Sequence, residues 1–226
     1  MSISVKSISL SIDDIKSSEW NITLDAKYHL DNFSLRQSLL CPSSLSFSLN
    51  RDPDETATDP RFNVCGQIIG REICLSLETE NDNDDDTDII EFRGYIAAAY
   101  GSRSGSEYYV NVEARSWDAL LEDNPTCKSF ENKTLEDIAN DVLDEYADYI
   151  NPIVGPRFTE VIPYCVQYNE TNYQFLQRLA RRYGEWLYNT GTEMVFGNLQ
   201  EKETVTLRYP SHDIPAYSVD LRVHHV

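Results

Sequence analysis

Long apolar runs are missing from this sequence: no stretch approaches the roughly 18 consecutive apolar residues of a membrane-spanning helix, so membrane insertion by a helix of this segment is not expected. The opening residues, Met1-Ser2-Ile3-Ser4-Val5-Lys6, lack the basic and apolar regions of a secretory signal, so signal-dependent export is not expected either. Basic residues are scarce. Nineteen Lys and Arg stand against 38 Asp and Glu, and the resulting formal charge of −19 opposes phosphate backbones and anionic lipid surfaces. Nucleic acid is thereby excluded as an expected partner. Histidine is confined to His29, His212, His224 and His225, none spaced to put two imidazoles on one helical face. The five cysteines, Cys41, Cys65, Cys74, Cys127 and Cys165, form no C-x-x-C pair and are odd in number, which fits neither a zinc site nor a complete disulfide framework. They read as reduced thiols used as small hydrophobes, with Cys65, Cys74 and Cys165 in apolar, strand-like text.

Catalytic motifs are absent too. There is no G-x-S-x-G, P-loop or G-x-G-x-x-G, and Gly101-Ser102-Arg103-Ser104-Gly105 has Arg where a nucleophile elbow needs Ser. The acidic run Glu80 to Asp88 places Asp82, Asp84 and Asp86 at alternating positions. It has Thr87 where a calcium loop needs Gly and Arg93 where it needs Glu, so it reads as a solvated loop. A Cys165–His212 pair is opposed by the aromatic strand around Cys165, which favours an inert core thiol. Glu170 is the one acid that stands out, because it lies beside the start of a helix. There a carboxylate stabilises the helix N-terminus, whereas a general acid needs burial that this polar turn does not supply. No catalytic residue, metal ligand or cofactor site is expected, and the chain reads as a non-enzyme.

What the sequence does have is alternation. Ile3, Val5, Ile8, Leu10 and Ile12, then Trp20, Ile22 and Leu24, then Leu45, Phe47 and Leu49, then Ile68, Ile73, Leu75 and Leu77 recur at or near period two. Ile89 to Tyr100 and Tyr108 to Ala114 add two more strands around a Gly/Ser hairpin tip, and such a series of short antiparallel strands predicts a barrel or a sandwich. Asn50 to Pro60, with two prolines and no large apolar residue besides, predicts a surface loop. At Thr134 the period changes to 3.6. Thr134 with Asp137 resembles a capping box, and Leu135, Ile138, Ala139, Val142, Leu143 and Tyr146 form the apolar stripe of a helix over about 134–148.

The stretch from Tyr164 to Phe196 parses without a break. Tyr164, Val166 and Tyr168 share one face of a strand, and Thr171 with Gln174 forms a second capping box. Phe175, Leu176, Leu179 and Tyr183 recur at helical spacing, and Gly184 is placed for a left-handed C-cap. Trp186 to Tyr188 and Met194 to Phe196 then flank a hairpin loop. The aromatics Tyr164, Tyr168, Phe175, Tyr183, Trp186 and Tyr188 read as packing residues at core-facing positions. Arg178, Arg181 and Arg182 read as surface residues suited to the negative end of the helix dipole, with pairing to acids of a neighbouring subunit as the alternative. The sequence thus divides into a β domain over 1–130, an α+β unit with two helices over 131–200, and strands over 201–226 that rejoin the first barrel or open a second.

These segments, in this order, resemble VgrG proteins and their phage relatives, the late control gene D proteins, both of them baseplate hub proteins. Gln167, Tyr168, Glu170, Thr171 and Phe175 fill the family's Q-Y-x-E-[ST]-x-x-x-F pattern, and Tyr164, Leu179, Gly184 and Trp186 complete the strand, helix, helix end and aromatic strand around it. Phe92 to Tyr100 and Arg115 to Thr134 match in the same order, so the resemblance covers about Phe92 to Asn198. It implies a β-rich α+β fold, with an N-terminal antiparallel β-barrel of the tube-like hub kind followed by the small α+β domain. It also implies a homotrimer with near-sixfold symmetry, able to cap a hexameric Hcp-type tube and to meet spike, tip and baseplate proteins. Assembly is then expected in the bacterial cytoplasm, followed by secretion or injection without a signal peptide. Full VgrG proteins continue into an oligosaccharide-binding-fold domain and a β-helical spike, text that does not follow here, so this sequence corresponds to the N-terminal part. A phage or prophage tail hub in a virion is the alternative within the class. A cell-wall glycan hydrolase or a carbohydrate-binding module is the alternative outside it.

Overall fold

The computed structural model describes residues 3–13, 28–39, 41–51, 65–81, 84–104 and 107–197. The alternating segments form six strands of one antiparallel sheet: β1 (Ile3–Asp13), β2 (Tyr28–Arg36), β3 (Ser44–Arg51), β4 (Glu72–Asn81), β5 (Asp84–Ser104) and β6 (Glu107–Ser116), in the order β1-β4-β5-β6-β3-β2. The sheet curls into a half-barrel. Its curvature is built into β5, which pairs with β4 along Asp84 to Tyr95 and with β6 along Gly94 to Ser104. One strand staggered between two neighbours is the shear that curling requires, and a bulge between Ile96 and Ala98 adds local twist. On the concave face, Leu10, Leu75 and Phe92 stand in register across β1, β4 and β5, while Leu45, Ala114 and Ile96 do so across β3, β6 and β5. All six are buried in one core.

Ile68 belongs to that core but not to a strand. Residues 65–68 form a single helical turn in which the Ile69 N–H donates to the Cys65 carbonyl, so the expected strand gives way to a plug that delivers Ile68 sideways. The expected strand at Trp20 to Leu24, most of the polar loop over 50–60, the tip of the acidic run and all of 201–226 lie outside the described residues.

After β6 the chain builds a second core. A 3₁₀ helix (Trp117–Glu122) leads to β7 (Thr126–Lys133), α1 (Leu135–Leu143) and β8 (Pro152–Gly155). Then come β9 (Ile162–Glu170), α2 (Asn172–Tyr183), β10 (Trp186–Asn189) and β11 (Met194–Gly197). β7 and β9 make a two-stranded antiparallel sheet, while β10, β11 and β8 make a three-stranded one in which β11 and β8 run parallel. Trp117, Leu121 and Phe130 are buried with both helices in this second core. α1 starts at the expected capping box, the Asp137 N–H donating to Thr134 Oγ1 at 3.1 Å. It ends earlier than its stripe predicts, tightening to a 3₁₀ turn at Asp144–Tyr146. Acids at Asp144, Glu145 and Asp148 sit at the negative end of the helix dipole, which explains why the α form does not continue. No helix among the described residues is long and apolar enough to cross a membrane.

The half-barrel and the α+β unit meet through named contacts. The rings of Tyr95, Trp117 and Tyr149 pack in series, tilted, with centroids 5.2 and 5.0 Å apart, and the Trp117 indole N–H donates to Glu72, which also takes Arg93 at 2.9 Å. The tip of the β10–β11 hairpin reaches β5, where the Arg93 N–H donates to the Gly191 carbonyl at 2.7 Å. Gln37 Nε2, just past β2, donates to the Glu91 carbonyl at 3.0 Å. The edge of β5 that β6 leaves open is therefore capped at 91–93, as sheet edges must be.

Candidate interface

Helix α2 is fixed at both ends by its own sequence. Thr171 accepts from the Gln174 N–H, the Gln174 side chain accepts from the Thr171 N–H, and Gly184 ends the helix at φ 71°, a conformation costly for any residue with a Cβ. Phe175 and Leu179 enter the core, and Phe175 stacks on Phe130 at 5.5 Å. Glu170, the last residue of β9, holds Arg178 through both carboxylate oxygens, and Arg178 also donates to the Val166 carbonyl at 2.7 Å. That charge-assisted pair raises the pKa of the Arg178 guanidinium. Glu170 thus acts on the helix through a side chain two turns along as well as through its position.

The parity of β9 is the opposite of the one read from its aromatics. Cys165 and Gln167 face the core, while Tyr164, Val166 and Tyr168 are 61%, 39% and 76% exposed. The reason is polar. Buried Gln167 donates to the Glu170 carbonyl and to Asn172 Oδ1, and Asn172 donates to the Tyr146 hydroxyl. This chain of bonds ties the strand to α2 and to the 3₁₀ turn that follows α1, and with Gln167 facing inward the tyrosines must face out. Trp186 is likewise 41% exposed, and Tyr183 and Tyr188 are only half-buried, so of the predicted aromatic packing set only Phe175 is fully enclosed. The cysteines divide as well. Cys165 is buried, and burial pushes its thiol up. Cys65 lies in the helical turn, Cys74 is half-buried, and Cys41 and Cys127 are exposed rather than used as core hydrophobes.

Two buried acids escaped the sequence reading because nothing local marks them. Glu185 accepts the Arg157 and Phe158 N–H groups at 2.8 and 3.0 Å, pinning the loop before β9 to the end of α2. Asp118 is 2% exposed and accepts from Asn189 Nδ2 at 3.1 Å, joining the 3₁₀ helix to the hairpin. Burial raises its carboxyl above the ordinary value of 3.8, against hydrogen bonds from Ser116, its own backbone N–H and Asn189. Because the folded state holds this proton more tightly than the unfolded state, its contribution to stability is full below the ordinary value and is lost as pH rises through the raised one. The Asp118→Asn variant, which keeps an oxygen for Asn189, is expected to gain on the wild type as pH increases between about 4 and 7. Urea melts across that range would test this; a constant difference would contradict it.

Alongside α2 runs a groove of about 510 Å³, floored by Ala180 and Leu187 and walled by Leu39, Trp186 and Arg181. Leu39 is 53% exposed. No group of three His, Cys, Asp or Glu gathers among the described residues. The surface therefore offers exposed rings, an apolar groove and arginines. Such a set recognises protein surfaces.

The family profile described as phage tail baseplate hub (GPD) matches residues 46–214. The type VI secretion system spike protein VgrG1b of Pseudomonas aeruginosa is 30% identical over 120 residues, 52% of this chain and 15% of that protein. VgrG1a of the same organism is 29% identical over 121 residues, 52% of this chain and 18% of its own length. The chain thus spans well under a quarter of these relatives. Among solved structures, the 43 kDa tail protein of prophage MuSo2 from Shewanella oneidensis superposes with a TM-score of 0.60 at 18% identity, over 87% of this chain and 54% of that one. The E. coli c3393 protein, described as a component of the type VI secretion system with structural similarity to bacteriophage T4 tail proteins gp27 and gp5, gives 0.56 at 16% identity, over 84% and 48%. At these identities the likeness is one of fold.

Proposed function

The chain belongs to the phage tail baseplate hub (GPD) family, and from that membership we propose that it is the N-terminal part of a VgrG-like hub, a structural adaptor in a type VI secretion or related contractile injection machine. One observation carries the reading: the family match runs from within β3 through β4, β5 and β6 and the whole α+β unit, so the shared text includes the inner strands of the curved wall and the unit docked on it. Three copies associate in a closed ring, whose half-barrels make a wall suited to a hexameric Hcp-type tube on one side and to a spike on the other. Function then rests on shape and interface complementarity, with no reaction and no cofactor. Assembly takes place in the bacterial cytoplasm, and delivery follows with the machine. A phage or prophage tail hub is the second reading, favoured by the likeness to the MuSo2 tail protein.

The test is the mass of the chain in solution together with electron microscopy of mixtures with the tube protein encoded beside it. Three-chain particles seated on tube ends are the expected result. A strict monomer with no affinity for the tube, also when carried to its natural C-terminus, overturns the proposal. A phage tail-tube gene as neighbour in place of a secretion gene selects the second reading.

A further inference from the structure

The two helices of the α+β unit carry opposite charge on their solvent sides. Residues 135–148 contain Glu136, Asp137, Asp141, Asp144, Glu145 and Asp148 and no base, and all six acids are exposed. Lys133 and Lys128 of β7 pair with Asp141 and Glu145, and Asp137 is engaged in the capping box. Glu136, Asp144 and Asp148 are left uncompensated among the described residues. α2, by contrast, holds three arginines and no acid. Arg178 is occupied by Glu170, while Arg181 and Arg182 are exposed, with no carboxylate partner among the described residues. Arg181 rims the groove whose apolar walls are Leu39 and Trp186.

Both helices bury their stripes in one core, so their outer sides are separate surfaces of the unit. A cationic and an anionic surface on one chain complement each other between copies. We propose that the arginine side of α2, with the Leu39–Trp186 groove, receives the acidic surface of α1 and the turn after it, residues 135–148, from a second copy of this chain. On a chain of charge −19 most pairs of surfaces repel, whereas between these two surfaces, among the described residues, the charges attract. The contact is heterologous, head to tail, and closes into a ring when its rotation closes. The inference rests on the proposed ring and names the surfaces that form it.

Sedimentation of the full chain at low salt tests it. The Arg181→Glu, Arg182→Glu variant is expected to associate about tenfold more weakly or less, its mass falling toward one 25.9 kDa chain, and added salt is expected to weaken the wild type in the same direction. Adding Asp144→Lys and Asp148→Lys to the same chain reverses both surfaces and restores association, a rescue that a folding defect does not give. Wild-type association unchanged by the arginine reversal overturns the assigned contact while leaving the ring standing. Association lost on Tyr164→Ser with Tyr168→Ser, with the arginine variant unaffected, moves the contact to the outward tyrosine face. A wild type that stays monomeric at every concentration removes the ring and this contact together.

Discussion

Phe175→Ala is expected to lower the unfolding free energy by about 3–5 kcal/mol, read from urea melts of the full chain. The ring is fully enclosed and lies nearly parallel to Phe130, 5.5 Å away with 10° between the planes. It is therefore the contact through which α2 holds the two-stranded sheet from beneath. Whether a cavity costs the lower or the upper end of that range depends on how far the walls can collapse. Here the helix cannot slide to fill the space, because Thr171 and Gly184 fix its ends and Glu170 holds Arg178 one turn past the ring. The upper half of the range follows. Phe175→Leu keeps most of the volume and is expected to cost less than about 2 kcal/mol. A loss below that for the alanine variant would show that α2 is free to move, and the tyrosines on the far side of β9 would then have no rigid backing.

What could be read from the sequence follows the range of the interaction that decides it. The ends of α2 were legible because a capping box and a C-terminal glycine act within four residues. Strand existence was legible from alternation, since period two is a local signal. The facing of β9 was not. Alternation defines two faces without saying which is buried, and the choice was made by Gln167, whose amide finds Asn172 and the Glu170 carbonyl only once the helix has docked. The apolar reading of Tyr164, Val166 and Tyr168 failed for that reason. Barrel curvature is still less local. It comes from the way 21 residues of β5 are shared between β4 and β6, and the helical turn that brings in Ile68 depends on the same sheet already being in place. The candidate interface was half legible. The arginines of α2 are plain in the sequence, whereas the groove beside them needs Leu39 and Trp186 from opposite ends of the chain.

Gly191→Ala is expected to detach the hairpin tip from β5 and to cost about 2–5 kcal/mol, the sum of a strained positive φ and a lost buried backbone hydrogen bond. Gly191 has φ 115°, and a Cβ there would lie 2.1 Å from the Glu91 carbonyl oxygen and 2.9 Å from its carbon. Both are backbone atoms of a paired strand, so the strand cannot yield and the hairpin must withdraw. Withdrawal strips the Arg93 N–H of its acceptor, the backbone bond that carries the hairpin tip across to the half-barrel, and strains the Asn189–Asp118 bond within the α+β unit. In a Trp20→Phe background the remaining tryptophans, Trp117 and Trp186, lie in the α+β unit, whereas most of the strand signal comes from the half-barrel, so fluorescence and far-ultraviolet circular dichroism report the two parts separately. With Gly191 in place the two melts are expected to coincide, and in the variant fluorescence is expected to change at lower denaturant. The bared edge at 91–93 also becomes free to pair with another chain, so light scattering is expected to rise with concentration. Coincident melts at unchanged stability would mean that the hairpin does not couple the two parts. The orientation of the charged helices relative to the ring wall would then have to rest on the Tyr95–Trp117–Tyr149 ring series and the Trp117–Glu72 hydrogen bond.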